Sequence, residues 1–410
     1  MLKYSGKSLY AEGVSVSALA GKLGTPLYVY SAARLLKNYR AFDSGFARLP
    51  HLVCFALKAN SNLSVARTFA RSGAGADIVS GGELYRALLA GFSPKKIVFS
   101  GVGKTREEMK SALAKGILCF NVESVEELQS LNETARSMKK RAPVSLRVNP
   151  EVQAGTHRHI TTGTKENKFG IPKSHILSAY ETARRLRNIE IVGLQAHIGS
   201  QITSVAPFER LVIVLLEIVD QLAGRGIRLK HLDLGGGLGI TYHREVPPTP
   251  ADLARVFEPR LKGRTLKLLF EPGRFLVGEA GILVTRVLYR KRTGHKTFVV
   301  VDAAMNDLAR PALYDSYHEI VPARKNGNAR ETVDVVGPVC ESGDYLARAR
   351  SIPYPGQGDY LAIKNAGAYG FAMSSQYNSR PRAAEVMVSG RKWRVVRKRE
   401  TLEDLIRGEK

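Results

Sequence analysis

The sequence predicts a (β/α)8 barrel of the TIM type joined to a mostly antiparallel β-domain, on three observations. Eight short apolar runs recur through the first two thirds of the 410 residues. Helical patterns with apolar residues three to four apart separate them. After about residue 275 the helical intervals stop and β-branched runs follow one another.

The eight runs are HLVCFAL (51–57), GADIVS (75–80), KIVFSG (96–101), ILCFNVE (117–123), PVSLRVN (143–149), IVGLQAHIG (191–199), LKHLDLGGG (229–237) and LKLLFEPG (266–273). Between them lie helical stretches such as GGELYRALLAG (81–91), SVEELQSLNETARSMKK (124–140) and APFERLVIVLLEIVDQLAGRG (206–226). This alternation argues for a closed barrel, with an open doubly wound sheet as the alternative that periodicity leaves standing. The later runs AGILVTRVLYRK, KTFVVVDA, ETVDVVGPVC, DYLAIKNAG and AAEVMVSGRKWRVV read as a separate β-domain. On this division residues 25–275 form the barrel, and 1–24 with 276–410 form the β-domain. PLYVYS (26–31) fits either. TLEDLIRG (401–408) ends the chain as a short helix, with Thr401 and Asp404 at capping-box spacing.

Composition narrows the class. Hydrophobic residues make up 44%, enough for a sizeable core. No apolar run approaches the roughly 20 residues that span a bilayer, and MLKYSGKSLYAEG lacks the apolar centre of a secretory signal, so a cytoplasmic protein without membrane contact is expected. Cys54, Cys119 and Cys340 are too widely spaced for a disulfide framework or a CxxC zinc pattern. The 62 Lys and Arg against 37 Asp and Glu give +25, a charge that invites polyanions. The basic residues are spread along the chain without a nucleic-acid-binding motif. GRKWRVVRKRE (390–400) reads as a solvated edge strand whose cations block unwanted pairing. Salt-sensitive, sequence-indifferent binding is the most that charge alone predicts, with no specific nucleic-acid partner.

Lys58, Asp77, Arg147, His197, Gly235 to Gly237 and Glu271 all fall at or just past the C-terminal end of a run. In a barrel that face carries the active site. Lys58 closes CFALK, either as a strand-end lysine reaching for water or as an amine able to form a Schiff base with a carbonyl cofactor. LDLGGGLGI (232–240) is either a tight turn or a place where backbone N–H groups approach a phosphate, especially above a helix N-terminus. It is no dinucleotide fingerprint, because the third required glycine falls on Ile240, and it lacks the GK[ST] of a P-loop. A phosphate-bearing cofactor without a nucleotide fits better.

In EPGRF, Glu271 can hold a proton on a heterocyclic nitrogen and Arg274 can clamp a carboxylate, or the two can simply pin a turn. His197 in AHIGSQ has no second histidine at ligand spacing, so no metal site is expected; it is a structural residue or stacks on a flat ring. THRH (156–159) is discounted as a metal site, and 150–170 reads as a mobile or functional loop anchored by NKFG (167–170). In the β-domain, Cys340 beside Glu341 is an inert buried thiol or a proton donor. Arg310 and Tyr314 are four apart, on one face if helical, and Tyr369 sits among glycines where something approaches closely.

Taken in order, ALKAN, HIGSQ, LGGGLG, EPGR, RPALY, CESGD and GAYG are similar to the motifs of pyridoxal-phosphate-dependent decarboxylases of the alanine-racemase-like fold (fold type III), those acting on diaminopimelate most closely. The resemblance runs from about Thr25 to the TLEDL tail. It implies pyridoxal 5'-phosphate as cofactor, tethered through Lys58. Gly235, Gly236 and Gly237, with Gly273 and Arg274, would cradle its phosphate, and Glu271 would keep its ring nitrogen protonated. His197 would stack on the ring, Asp77 and Ser200 would orient these groups, and Ala59 and Asn60 would leave room.

The implied reaction is decarboxylation of meso-2,6-diaminopimelate to L-lysine and CO2, the last step of lysine biosynthesis. Arg274, Arg310 and Tyr314 would hold the distal carboxylate and Glu341 the distal ammonium. Tyr369 would contact cofactor and substrate, and Cys340 would protonate the carbon that loses CO2. The family also implies a homodimer with shared active sites, Cys340 and Glu341 reaching the partner's barrel. Ornithine, arginine and carboxynorspermidine decarboxylases are the rival readings. Glu341 stands where ornithine decarboxylases typically carry Asp, and neither ornithine nor arginine offers Arg310 a distal carboxylate. A non-catalytic cofactor-binding or nucleic-acid-binding relative is a different-class alternative, against which the presence of both Lys58 and Cys340 argues. A racemase would need bases on both faces of the ring.

Overall fold

The structure, a computed structural model, describes residues 1–153, 167–327 and 329–409. The THRH run and most of the loop expected over 150–170 lie outside the described residues. The chain forms two compact units, one of residues 38–240 and 246–275, the other of 1–37, 241–245 and 276–410.

The first unit is the expected barrel. Its strands are His51–Ala56, Gly75–Ile78, Ile97–Phe99, Cys119–Val122, Ala142–Asn149, Ile189–Gln195, His231–Asp233 and Lys267–Phe270. They pair in parallel in chain order, and the last closes on the first with Leu268, Leu269 and Phe270 opposite His51, Leu52 and Val53. That closure rules out the open sheet. Parallel neighbours need a crossover, and the helices that supply it begin at side-chain caps written in the sequence. Asn62, Ser80, Thr105, Ser124 and Thr249 each accept from a backbone N–H in the first turn of the helix they precede. The longest, Ala206–Gly224, buries Phe208, Leu211, Val212, Leu215, Leu216, Ile218, Val219 and Leu222, the stripe expected of a helix lying on a barrel. Inside, Leu52, Cys54, Val98, Cys119, Val192 and Leu269 form an apolar plug. A barrel filled this way offers chemistry only at its rim.

The second unit is built on a nine-stranded, mostly antiparallel sheet. Gly281–Thr293 is its spine, antiparallel to Leu27–Ser31, Lys296–Val301 and Tyr360–Ile363. Two pairs are parallel, Leu27–Ser31 with Ala384–Ser389 and Lys296–Val301 with Arg330–Val336. Lys392–Arg397 is an edge strand, as its cations suggest, with Trp393 turned onto the core and Lys22 5.3 Å from its ring centroid. The helix Leu402–Leu405 starts with the full Thr401–Asp404 capping box. The domain boundary differs from the one expected at residue 25. Leu27–Ser31 is buried at every position between two partners of this sheet, so residues 25–37 belong to the β-unit, and so do 241–245. Among the described residues no helix is long and apolar enough to cross a membrane.

Candidate active site

The first barrel strand ends at Ala56 and the chain turns at once into a 3-10 turn, Leu57–Ala59, that carries Lys58. The lysine does not run to solvent. Its Nζ lies 2.6 Å from Asp77 Oδ2, and Asp77 is wholly buried while the Lys58 side chain keeps 35% of its surface open. A cation drawn to a desolvated carboxylate is placed by design of the barrel rather than by the reach of its stem. Ala59 is small for a different reason than room for a ligand: a Cβ on Gly273 would stand 2.9 Å from the Ala59 methyl, so the two backbones pack directly. Asn60 Oδ1 accepts from the Asn62 N–H at 3.1 Å, a local turn bond.

Glu271 follows the eighth strand and is 5% exposed. Ser100 Oγ (3.3 Å) and Asn121 Nδ2 (3.0 Å) donate to its Oε1, and Gln195 Nε2 (3.3 Å) donates to its Oε2. Desolvation, then the neighbouring Asp233 and Asp77 carboxylates, push the Glu271 carboxyl well above the usual range. Asp233, also fully buried, is pushed up chiefly by desolvation, against the Gly235 N–H bond that favours its charged form. Glu271 is thus biased toward its protonated form, against the three donors that favour its carboxylate. Sequence reasoning missed Ser100, Asn121, Gln195 and Asp233. The available signal is one polar residue interrupting each of four apolar strands near its C-terminal end, a pattern without sequence spacing because the barrel alone brings the residues together.

The glycine run is a loop. Residues 234–249 contain no helix, so the expected helix N-terminus behind the glycines is absent and the next helix starts at Pro250. Close approach is what requires the glycines. A Cβ on Gly235, Gly236 or Gly237 would lie 2.7, 2.3 and 2.6 Å from the carbonyl oxygens of Ala196, Glu271 and Gly199. Gly235 and Gly237 also have positive φ, 64° and 110°. The Gly236 N–H donates to His197 Nδ1 at 3.2 Å, so the neutral imidazole carries its proton on Nε2. Burial, and then the charges of Arg147 and Lys58, hold His197 well below its usual pKa, which keeps it neutral. Arg147 is instead tied to Glu123 at 2.8 Å and covers Phe169 at 4.8 Å, so the NKFG segment is anchored where expected. Arg274 donates through Nε and Nη2 to Ser200 Oγ at 3.3 and 3.2 Å, while Glu271 faces the polar ring; the two ends of EPGR thus serve different neighbours.

The β-unit carries the remaining candidates. Arg310 and Tyr314 share the short helix Arg310–Tyr314. Arg310 is 5% exposed, lies 4.6 Å over the Tyr242 ring, and donates to His318 Nε2 (2.8 Å) and Ser316 Oγ (3.3 Å). Cys340 and Glu341 are exposed on a turn pinned by buried Asp344, whose carboxylate accepts from the Met305 and Val339 N–H groups. The buried inert reading of Cys340 is thereby corrected. Tyr377 Oη donates to Glu341 Oε2 at 3.0 Å. Tyr369 sits at φ 54° between Gly367 and Gly370, where added Cβ atoms would collide with the Val277 and Ala366 carbonyls. Left-handed backbone at a bulky residue is the strain found at functional positions.

The barrel residues suit a phosphorylated pyridoxal on the structure's own terms. An amine rests on a buried carboxylate, and a second buried carboxyl has its proton affinity raised. The backbone around the glycines admits no side chain, and Asp77 Oδ1 and Gln195 Oε1 are buried without a hydrogen-bond partner among the described residues.

A parallel barrel with a lysine at its rim and a separate β-unit is the architecture of a pyridoxal-dependent enzyme class. Residues 32–278 match the pyridoxal-binding domain of the pyridoxal-dependent decarboxylases. The diaminopimelate decarboxylase of Pseudomonas aeruginosa is 53% identical over 99% of this chain and 98% of its own length. The crystal structure of Helicobacter pylori diaminopimelate decarboxylase complexed with L-lysine superposes with a TM-score of 0.92 at 42% identity, covering 95% of this chain and 98% of that one. That of the M. jannaschii enzyme in co-complex with L-lysine gives 0.95 at 39% identity, covering 100% and 97%. The chain belongs to the diaminopimelate decarboxylase family of pyridoxal-dependent decarboxylases.

Proposed function

We propose that this protein decarboxylates meso-2,6-diaminopimelate to L-lysine and CO2 with pyridoxal 5'-phosphate as its cofactor, in the cytoplasm. The observation that carries the reading is the Lys58–Asp77 pair on the same rim as a buried Glu271 whose proton affinity is raised by desolvation. Lys58 would tether the cofactor, and Gly235, Gly236, Gly237, Gly273, Arg274 and Ser200 would hold its phosphate. Bound there, pyridoxal phosphate supplies the electron sink that lets a carboxylate depart as CO2.

The chain's own groups do the rest. Asp77 takes up and returns the proton of the Lys58 amine, and its fixed carboxylate keeps Nζ aimed into the site. Glu271 would face the ring nitrogen and keep a proton there, and the donors Ser100, Asn121 and Gln195 would stabilise its carboxylate. His197, kept neutral, adds a flat surface without adding a charge.

The substrate has two amino-acid ends, and the far one must be held. Arg310 and Arg274 provide guanidinium forks for its carboxylate, Glu341 a carboxylate for its ammonium, and Tyr314 and Tyr369 contacts along its length. Cys340 returns a proton to the carbon that loses CO2. Both Cys340 and Glu341 are exposed in the single chain, which supports a homodimer in which they complete the partner's site.

Incubated with meso-diaminopimelate, ornithine and arginine side by side, the purified holoenzyme is expected to release CO2 from the first alone, with one L-lysine per CO2. Release from ornithine and not from diaminopimelate would overturn the substrate assignment.

A further inference from the structure

The β-unit contains a cavity of about 410 Å³ whose wall includes Lys325, Arg330 and Arg350. That volume lies in the range of small-molecule sites. None of the three cations is paired with a carboxylate among the described residues. Lys325 Nζ lies 4.3 Å over the Tyr4 ring, Arg330 donates to the Ser351 hydroxyl and carbonyl, and Arg350 donates to the His318 carbonyl at 2.8 Å. The acidic residue in the wall, Glu319, is already taken by Lys364 at 2.5 Å. The concavity thus carries three cations against one carboxylate that is itself shared with Lys364, a net positive wall, and low-dielectric walls focus such a field.

The occupant is compact. Arg350 stacks 3.6 Å from the Tyr317 ring centroid and His243 stacks 4.1 Å from it; two groups this close must take opposite faces, which leaves none for a nucleobase. We propose that this cavity binds a compact multivalent anion, the chemistry shared by polycarboxylates and phosphate, and that its occupancy is felt at Arg310.

The connection is short. His318 Nδ1 donates to the Lys364 carbonyl at 2.8 Å, which leaves Nε2 to accept from Arg310 Nη1 at 2.8 Å. Arg350 holds the backbone carbonyl of that same histidine, and Lys364 holds Glu319 in the cavity wall. An anion that draws Arg350 into the cavity loosens the residue that orients Arg310. This second step rests on Arg310 gripping the distal carboxylate; the anion site does not.

Calorimetric titration of the holoenzyme with citrate, and separately with inorganic phosphate, tests the site and distinguishes the two sources. Lys325→Ala/Arg330→Ala, and independently Lys325→Gln, are expected to weaken binding of the preferred anion by at least about tenfold. Arg391→Ala/Lys392→Ala, which removes two exposed cations from another edge of the sheet, is expected to leave it unchanged. Equal weakening in that control would mean that bulk charge alone attracts the anion, and would overturn the site. Binding untouched by the cavity variants, or no saturable binding of either anion, would overturn it too. Where binding is confirmed, the KM for diaminopimelate is expected to shift with anion in the wild type and not in the cavity variants. A KM that ignores the anion would overturn the link to Arg310 while leaving the site standing.

Discussion

Lys58→Ala is expected to yield a folded, colourless protein that releases CO2 at least about 10³-fold more slowly than the wild type. On this reading the Lys58 amine tethers the cofactor, and its neighbour Asp77 cannot replace it, being a carboxylate with no open surface. The variant also strips a wholly buried carboxylate of its cation, which destabilises the barrel by about 2 kcal/mol, less than a fully buried pair because 35% of the lysine side chain meets solvent. Lys58→Ala/Asp77→Ala separates the effects: the melting temperature should recover toward wild type while colour and turnover stay lost. Absorbance in the cofactor band, CO2 release and thermal melting, measured on the same preparations, read all three.

Glu271→Gln is expected to lower turnover by about 10²–10³-fold while making the cofactor-free protein more stable at neutral pH. Glu271 and Asp233 have folded pKa values above their unfolded ones, desolvation being the first cause for each. The folded state then binds more protons than the unfolded state, so their contribution to stability falls as pH rises above the ordinary carboxylate range. Glutamine keeps the Ser100 and Asn121 bonds at its carbonyl oxygen, its NH2 can donate to the Gln195 amide oxygen once that amide turns over, and the titration is removed. The difference in melting temperature, variant minus wild type, should therefore widen between about pH 5 and pH 8. A flat difference would show that Glu271 is already ionised in the empty site. The same burial that costs stability would serve the proposed role, since desolvation raises the proton affinity of a carboxyl.

The barrel was legible because strands buried on both faces read as continuous apolar runs, and eight of them alternate with amphipathic helices. Leu27–Ser31 reads the same way, and nothing local assigns it to a parallel or an antiparallel neighbour; its register with Gly281–Thr293 is a long-range fact, hence the misplaced boundary. Lys58, the glycine run and EPGR announce themselves as polar or flexible residues just past strand ends. Ser100, Asn121, Gln195 and Asp233 do not, because each is isolated in its own strand. Only closure of the barrel turns four solitary polar residues into the surroundings of one carboxyl. The glycines mislead in a smaller way: three in a row suggest a helix start, whereas here they answer the carbonyls of Ala196, Glu271 and Gly199.

Every role proposed for this rim depends on Lys58 being the reactive amine. Borohydride reduction of the holoenzyme, followed by proteolysis and mass spectrometry, tests it most directly. One pyridoxyl-phosphate addition per chain is expected, on the lysine of CFALKANSN. An adduct on any other lysine, or none on a protein that still releases CO2, would contradict it.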